Sequence, residues 1–261
     1  MLCARMKLAT WNVNSVRARL SRVLDWLGQH DPDIVCLQET KVADHQFPRE
    51  PLEDAGYNLE LFGQPTYNGV AILSKLPIED VVKGLPDDGN DAERRVIAGI
   101  VRDLVVVSVY APNGTAVGHE KFAAKLAWFR RLRTFLEDRY PQGERVVVCG
   151  DFNITFDDRD VFDPDGLREH LHCTGQEREA LADLMTYGLH DAFRRFHEEA
   201  GHFTWWDYRG LGFQRNQGLR IDHMLMTPSA LETCSGVAID REERKGKTPS
   251  DHVPVIATMR R

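Results

Sequence analysis

The sequence predicts one α/β domain of mixed sheets with helices outside them, and three observations carry that expectation. Short apolar runs with strand character recur from end to end of the 261 residues. Amphipathic helical stretches interleave with those runs. No Pro/Gly/Ser-rich linker, charge run or repeat divides the chain, so residues 1–261 are expected to form a single domain.

Strands are expected at 6–13, 34–37, 70–73, 96–101, 104–109, 146–149, 221–226 and 253–258. Arg102-Asp103 reads as the two-residue turn of a hairpin. Several runs are apolar at nearly every position, as expected where both faces of a sheet are covered. Val16, Leu20, Val23, Leu24 and Leu27 follow helical spacing, as do Phe122, Leu126, Phe129, Leu132, Phe135 and Leu136. A third helix is expected at 176–187, and Thr174 with Glu177 three residues later matches a capping box. Two loops stand apart. The stretch 157–172 is polar and rich in Asp. The stretch 203–219 gathers Trp205, Trp206, Tyr208 and Phe213 with Arg209 and Arg215, and Arg220 follows it.

The bulk composition narrows the class. At 42% hydrophobic residues the chain can bury a sizeable core. Nothing approaches eighteen consecutive apolar residues, so no membrane span is expected. The start, Met1 to Lys7, lacks a long apolar stretch and does not read as a signal peptide. Five scattered cysteines without paired spacing fit free thiols in a reducing cytoplasm. The formal net charge of −7 argues against a protein that coats DNA non-specifically. It leaves room for an enzyme with one local basic face.

Polar groups stand where strands end. Asn12 closes the first strand. Ile34-Val35-Cys36-Leu37 runs straight into Gln38-Glu39-Thr40. Val146-Val147-Val148-Cys149 runs into Gly150-Asp151-Phe152-Asn153, and two residues apart in extended chain point to the same side. Asp222 lies in or beside a strand, and Asp251-His252 precedes the last one. A single such residue is more often a turn former than a catalyst. Five strand ends with the same kind of group can converge on one edge.

The group types suit phosphodiester hydrolysis. A hard cation such as Mg²⁺ binds through one or two carboxylates, with Glu39 as the anchor. Asp151 held by Asn153 fits a base or water-positioner. His252 would donate to a phosphate oxygen, and Asp222 on its far nitrogen would orient it and favour its charged form.

The strings Thr10-Trp11-Asn12-Val13-Asn14, Leu37-Gln38-Glu39-Thr40-Lys41, Tyr110-Ala111-Pro112-Asn113, Gly150-Asp151-Phe152-Asn153, Trp205-Trp206-Asp207-Tyr208-Arg209, Gly218-Leu219-Arg220-Ile221-Asp222 and Ser250-Asp251-His252 stand in one order. That ordered set resembles the exonuclease III family of AP endonucleases over nearly the whole chain. The resemblance implies a four-layer α/β sandwich like that of deoxyribonuclease I, with two mixed β-sheets flanked by helices. It implies a catalytic domain of the endonuclease/exonuclease/phosphatase type that depends on Mg²⁺ or Mn²⁺. The activities implied are cleavage 5′ to abasic sites, 3′→5′ exonuclease action on duplex DNA and removal of blocked 3′ ends in base excision repair. By position, Glu39 resembles the metal carboxylate, Asn12 the amide beside it and Asp251 a further carboxylate near metal or leaving group. Asp151 and Asn153 resemble the water-orienting pair, Tyr110 a phenol near the scissile phosphate, and Asp222 with His252 the phosphate-binding dyad. Either Asp151 or His252 is the base. Trp205, Leu219 and Ile221 resemble the pocket for a flipped abasic deoxyribose, and Arg209 and Arg220 are expected on the DNA. The expected partner is double-stranded DNA with abasic sites or blocked 3′ ends, met by a monomer in the bacterial cytoplasm at the nucleoid.

Two rivals share parts of this pattern. The strand-end set also occurs in phosphatases and phosphodiesterases of small molecules and lipids, and the aromatic-arginine loop favours DNA over them. A non-catalytic DNA-binding module would be free to lose the catalytic positions, which are all filled by competent residues.

Overall fold

A computed structural model describes residues 5–86, 93–141 and 143–260. The expected non-signal start therefore lies largely outside the described residues, as does Cys3. Numbered in chain order, one six-stranded sheet contains β1 (Arg5–Asn12), β2 (Ile34–Gln38), β3 (Asn58–Phe62), β4 (Val70–Ser74), β11 (Cys234–Ile239) and β12 (Val255–Arg260). The other contains β5 (Glu79–Lys83), β6 (Val96–Val101), β7 (Leu104–Tyr110), β8 (Val146–Asp151), β9 (His190–Asp191) and β10 (Asp222–Met226). Their strand orders are β11-β12-β1-β2-β4-β3 and β5-β6-β7-β8-β10-β9.

Each sheet has one parallel pair near its centre, β1 with β2 and β7 with β8, and antiparallel pairs elsewhere. A parallel pair needs a crossover, and the two long amphipathic helices supply them. Helix α1 (Leu20–His30) joins β1 to β2, and α3 (Glu120–Arg139) joins β7 to β8. A further helix, α5 (Gly175–Met185), starts at the expected capping box, with both reciprocal bonds between Thr174 and Glu177 formed. Three short helices, α2 (Glu50–Asp54), α4 (Pro164–Leu167) and α6 (Pro228–Leu231), fill connections.

Strand alternation divides the apolar residues between layers. Leu8, Ile34, Cys36 and Ile72 of the first sheet face Val106, Val147, Cys149 and Met224 of the second in one central core. Ala9, Trp11, Val35 and Leu37 turn outward beneath Val23, Trp26 and Leu27 of α1. Val107, Val146 and Val148 turn outward beneath Phe129, Leu132, Leu136, Leu181 and Leu184 of α3 and α5. The result is the expected helix–sheet–sheet–helix sandwich. Cys36, Cys149, Cys173 and Cys234 are free and buried. Among the described residues, no helix is long and apolar enough to cross a membrane.

Candidate active site

The alternation that builds the central core also builds the site. Counting by two from Leu8, Ile34, Val106, Val147 and Met224 ends on Asn12, Gln38, Tyr110, Asp151 and Asp222, which therefore share the inter-sheet faces. Register brings them to one level. Asn12 pairs with Gln38 across β1 and β2, and Asp151 pairs with both Tyr110 and Asp222 across β8. Beneath them Gln38 bonds Thr10 at 3.0 Å and Ser108 at 3.1 Å, a polar tie from one sheet to the other. Gly150 is required here. Its φ is +146°, and a Cβ would lie 1.9 Å from the Val109 carbonyl oxygen. The turn carrying Asp251 and His252 is fastened to β1, because Ser250 Oγ donates to the Asn12 carbonyl at 2.7 Å.

At the centre, the Asn12 amide nitrogen donates to Glu39 Oε1 at 2.8 Å and to Asp151 Oδ2 at 2.9 Å. It spans two carboxylates that come from different sheets. His252 Nδ1 donates to Asp222 Oδ2 at 2.8 Å, and its Nε2 lies 3.7 Å from Asp151 Oδ2. The Asn153 N–H donates to Asp151 Oδ1 at 2.9 Å. One polar atom each from Glu39, Asp151 and His252 lies within 4.8 Å of the others, close enough for an ion on the carboxylates to sit beside the imidazole. Lys41 Nζ already rests 2.6 Å from Glu39 Oε2 and also donates to Asn14 Oδ1, which shows that Glu39 holds positive charge. Asn14, Ser15, Glu39, Lys41 and Asn153 all have positive φ, strain of the kind that gathers at functional sites.

The electrostatics follow from burial and crowding. Burial pushes the Asp151 carboxyl up, His252 pulls it down, and Asp222 and Glu39 raise it again, to about 7. Burial pulls His252 down, but Asp222 and Asp151 outweigh it and raise the imidazole to about 10. Burial, then Glu39 and Asp151, raise Tyr110 well above the ordinary phenol range. At neutral pH the site thus presents an imidazolium, a neutral phenol and a carboxylate near its midpoint.

Most expected residues meet, with three departures. Asp251 lies outside the cluster of Glu39, Asp151 and His252. Its oxygens take Asn14 Nδ2 at 2.9 Å and Trp205 Nε1 at 3.1 Å, which fixes it between the first strand end and the aromatic loop. The Asn12 oxygen accepts the Asn14 N–H at 3.0 Å, so Asn12 turns its nitrogen to the carboxylates. Arg220, expected on DNA, is 1% exposed. Its guanidinium is bound at both ends by Asp160 (2.7 and 2.9 Å) and by Asp191 at 2.7 Å, which leaves nothing for a phosphate.

Trp205, Leu219 and Arg209 line a cleft of ≈ 300 Å³ together with Phe162, His170 and His172. Ile221 lies behind it, packed with Leu219, Val161 and Cys173. Arg209 reaches into solvent and pairs with Asp207. His172 and Trp205 have ring centroids 6.4 Å apart. His172 lies in the polar segment 163–174 that the sequence marks only as a candidate DNA contact, and Lys125 is not among the candidate site residues. Lys125 had a visible signal, since it stands three residues after Phe122 and four before Phe129 on the apolar stripe of α3.

A fold of two stacked mixed sheets with carboxylates, amides and an Asp–His pair at one end defines the class. The chain belongs to the Endonuclease/Exonuclease/phosphatase family, whose pattern matches residues 9–252. Within that family, it is 36% identical to "Exodeoxyribonuclease III" of Haemophilus influenzae over 98% of this chain and 100% of that one. Among solved structures, it is similar to the 3′-5′ exonuclease NExo from Neisseria meningitidis (TM-score 0.95, 42% identity, 98% of this chain and 100% of that one). A second structure of NExo, described as a 3′ phosphatase, is bound to a product DNA hairpin (TM-score 0.94, 43% identity, 97% and 98% covered). An AP endonuclease from Archaeoglobus fulgidus is equally similar in fold (TM-score 0.94, 36% identity, 97% and 99% covered).

Proposed function

We propose that the chain is a Mg²⁺-dependent DNA repair nuclease, acting in base excision repair on phosphodiester bonds 5′ to abasic sites and at 3′ ends. The observation that carries this reading is the convergence of Glu39, Asp151 and His252 donor atoms within 4.8 Å, on strand ends backed by Asp222. Relatives whose names speak of exodeoxyribonuclease and AP endonuclease activity support it over nearly their full length.

The donor set is oxygen-rich, which fits a hard divalent ion anchored on Glu39, with Mn²⁺ able to substitute. When bound, such an ion offsets charge on the phosphate oxygens. The chain's own groups do the rest. His252, cationic and oriented by Asp222, donates from Nε2 to a phosphate oxygen. Asn153 and Asn12 fix the Asp151 carboxylate, which accepts a proton from the attacking water. Tyr110 stays neutral and donates. Trp205 and Leu219 form the wall against which an extruded sugar is tested, and Arg209 contacts the backbone. The 157–174 segment, which brings His172 to that wall, sets the balance between abasic-site incision and 3′-end removal. The chain works on duplex DNA as a single catalytic domain, a monomer of the cytoplasm.

One assay tests this. A duplex with an internal abasic analogue and a duplex with a recessed 3′ end are incubated with Mg²⁺, and initial rates are compared. Both are expected to be cut, and EDTA is expected to stop both. Full activity in EDTA would remove the metal from the mechanism.

A further inference from the structure

Lys125 has no place in the chemistry above, yet it is held in an unusual way. It stands on the buried face of α3, and neither its side chain nor that of Glu177, its partner, reaches solvent. Taking two such charges out of water is costly, and an apolar pair of similar volume is often as stable. Burial pulls the Lys125 ammonium down, and Glu177 pushes it back up. The hydrogen bonds of the pair say what it is for.

Lys125 Nζ donates to Glu177 Oε1, to the Asn153 carbonyl at 2.7 Å and to the Asn113 carbonyl at 3.2 Å. Three partners match the three protons of an ammonium. Glu177 accepts the His172 N–H at 3.1 Å, the Thr174 N–H at 3.2 Å and the Thr174 hydroxyl at 2.8 Å. The Asn153 carbonyl takes a second donor, His172 Nδ1, at 2.6 Å. On its other side, Asn153 donates its N–H to Asp151 and its amide to the Ala111 carbonyl at 3.0 Å. Asn153 also has φ of 53°. A non-glycine residue keeps such a conformation only where its surroundings over-determine it.

We propose that Lys125 is a positioning residue for the Asp151–Asn153 strand end, acting through the Asn153 carbonyl, with Glu177 holding its ammonium in place. Anchoring that carbonyl limits rotation about the Asn153 backbone and keeps its N–H on Asp151. Through Glu177 and His172 the same anchor ties the wall of the Trp205 cleft to the catalytic carboxylate. The proposal rests on the reading that Asp151 acts in hydrolysis.

The test is the double variant Lys125→Met/Glu177→Gln, which removes both charges together and leaves no lone one buried. Its melting temperature is expected to stay near that of the parent. Its Kd for uncleaved abasic duplex, measured in EDTA, is expected to stay within about twofold while kcat falls roughly 30- to 100-fold, because small misplacements beside reacting atoms are costly. Amide hydrogen exchange at Asn153 is expected to quicken. Lys125→Arg, which keeps charge and donors, is expected to retain more kcat than the double variant, and it decides by the same split if the double variant does not fold. Parental kcat in the folded double variant overturns the proposal. So do parallel losses of kcat, affinity and melting temperature, which describe a merely structural pair. Asp151→Asn is run alongside. If it is fully active, the parent reading fails; if it is inactive beside a fully active double variant, only the positioning role fails.

Discussion

Asp151 is where the two sheets meet at the proposed site. It takes Asn12 from one sheet, Asn153 from its own loop and the charge of His252, all within 3.7 Å. Asp151→Asn keeps the volume and much of the hydrogen bonding but removes the proposed proton acceptor. Turnover is expected to fall by about 10²- to 10⁴-fold, the usual weight of general acid–base catalysis, with little change in DNA affinity. Single-turnover rates set against Kd measured in EDTA separate the two. Equal losses in both would make Asp151 a binding group. At this scale the sequence was informative because the strands alternate. Asn12 and Asp151 continue the buried face of their own strands, so an apolar run ending in a polar residue marks them, and Asp222 opens the buried face of β10; Tyr110 is marked only by the family resemblance. Asp251 was harder to assign. Its partners Asn14 and Trp205 come from 237 and 46 residues away, and no local pattern carries that information.

Elements tell the same story with a different boundary. The expected strands are all present within two or three residues, and the hairpin at Arg102-Asp103 forms as β6 and β7 pair Val101 with Leu104. The last strand starts two residues late, after Pro254, which has no N–H to give to a ladder. Strands β3, β5, β9 and β11 were not anticipated. All four lie on sheet edges and β5, β9 and β11 are half exposed, so their residues lack the continuous apolar run that marks the central strands. Arg220 shows the same limit. An arginine between Leu219 and Ile221 reads as a surface group beside a pocket, but Asp160 and Asp191 arrive from loop and strand to enclose it. Arg220→Met is therefore expected to destabilise the fold by about 3–5 kcal/mol, since it strips Asp191 of its guanidinium and leaves the buried Asp160 with Arg194 alone. The salt dependence of DNA binding is expected to stay unchanged, whereas loss of a true phosphate contact would lower the slope of log K against log salt by about 0.9. Urea midpoints and a salt series on the same variant check both halves.

The whole molecule carries opposed titrations. Asp151, raised to about 7, binds a proton more readily folded than unfolded, so it favours the folded state as pH falls. His252, raised to about 10, contributes stability below its unfolded value that is lost only as pH rises toward 10. His223 works the other way. It is a fully buried residue of β10, its Nε2–H donates to the Ile154 carbonyl at 2.7 Å, and its Nδ1 faces Arg220 Nη1 at 3.1 Å. Burial, then the Arg220 charge, lowers it to about 4. The unfolded imidazole takes up its proton near pH 6.5, while the folded one refuses it until about 4, so stability drains away between those values as pH falls. At about 1.4 kcal/mol per unit, His223 alone accounts for a loss of roughly 2 kcal/mol between pH 7 and pH 5. His223→Gln, with no proton to accept, is expected to show a correspondingly smaller fall in unfolding free energy over that interval. Because Asp151 and His252 titrate alike in both proteins, the difference in slope isolates His223, even if the variant is less stable at every pH. Denaturant unfolding of the pair at pH 7 and pH 5 measures it, and identical slopes would mean that His223 takes up its proton as readily in the folded protein as in the unfolded chain.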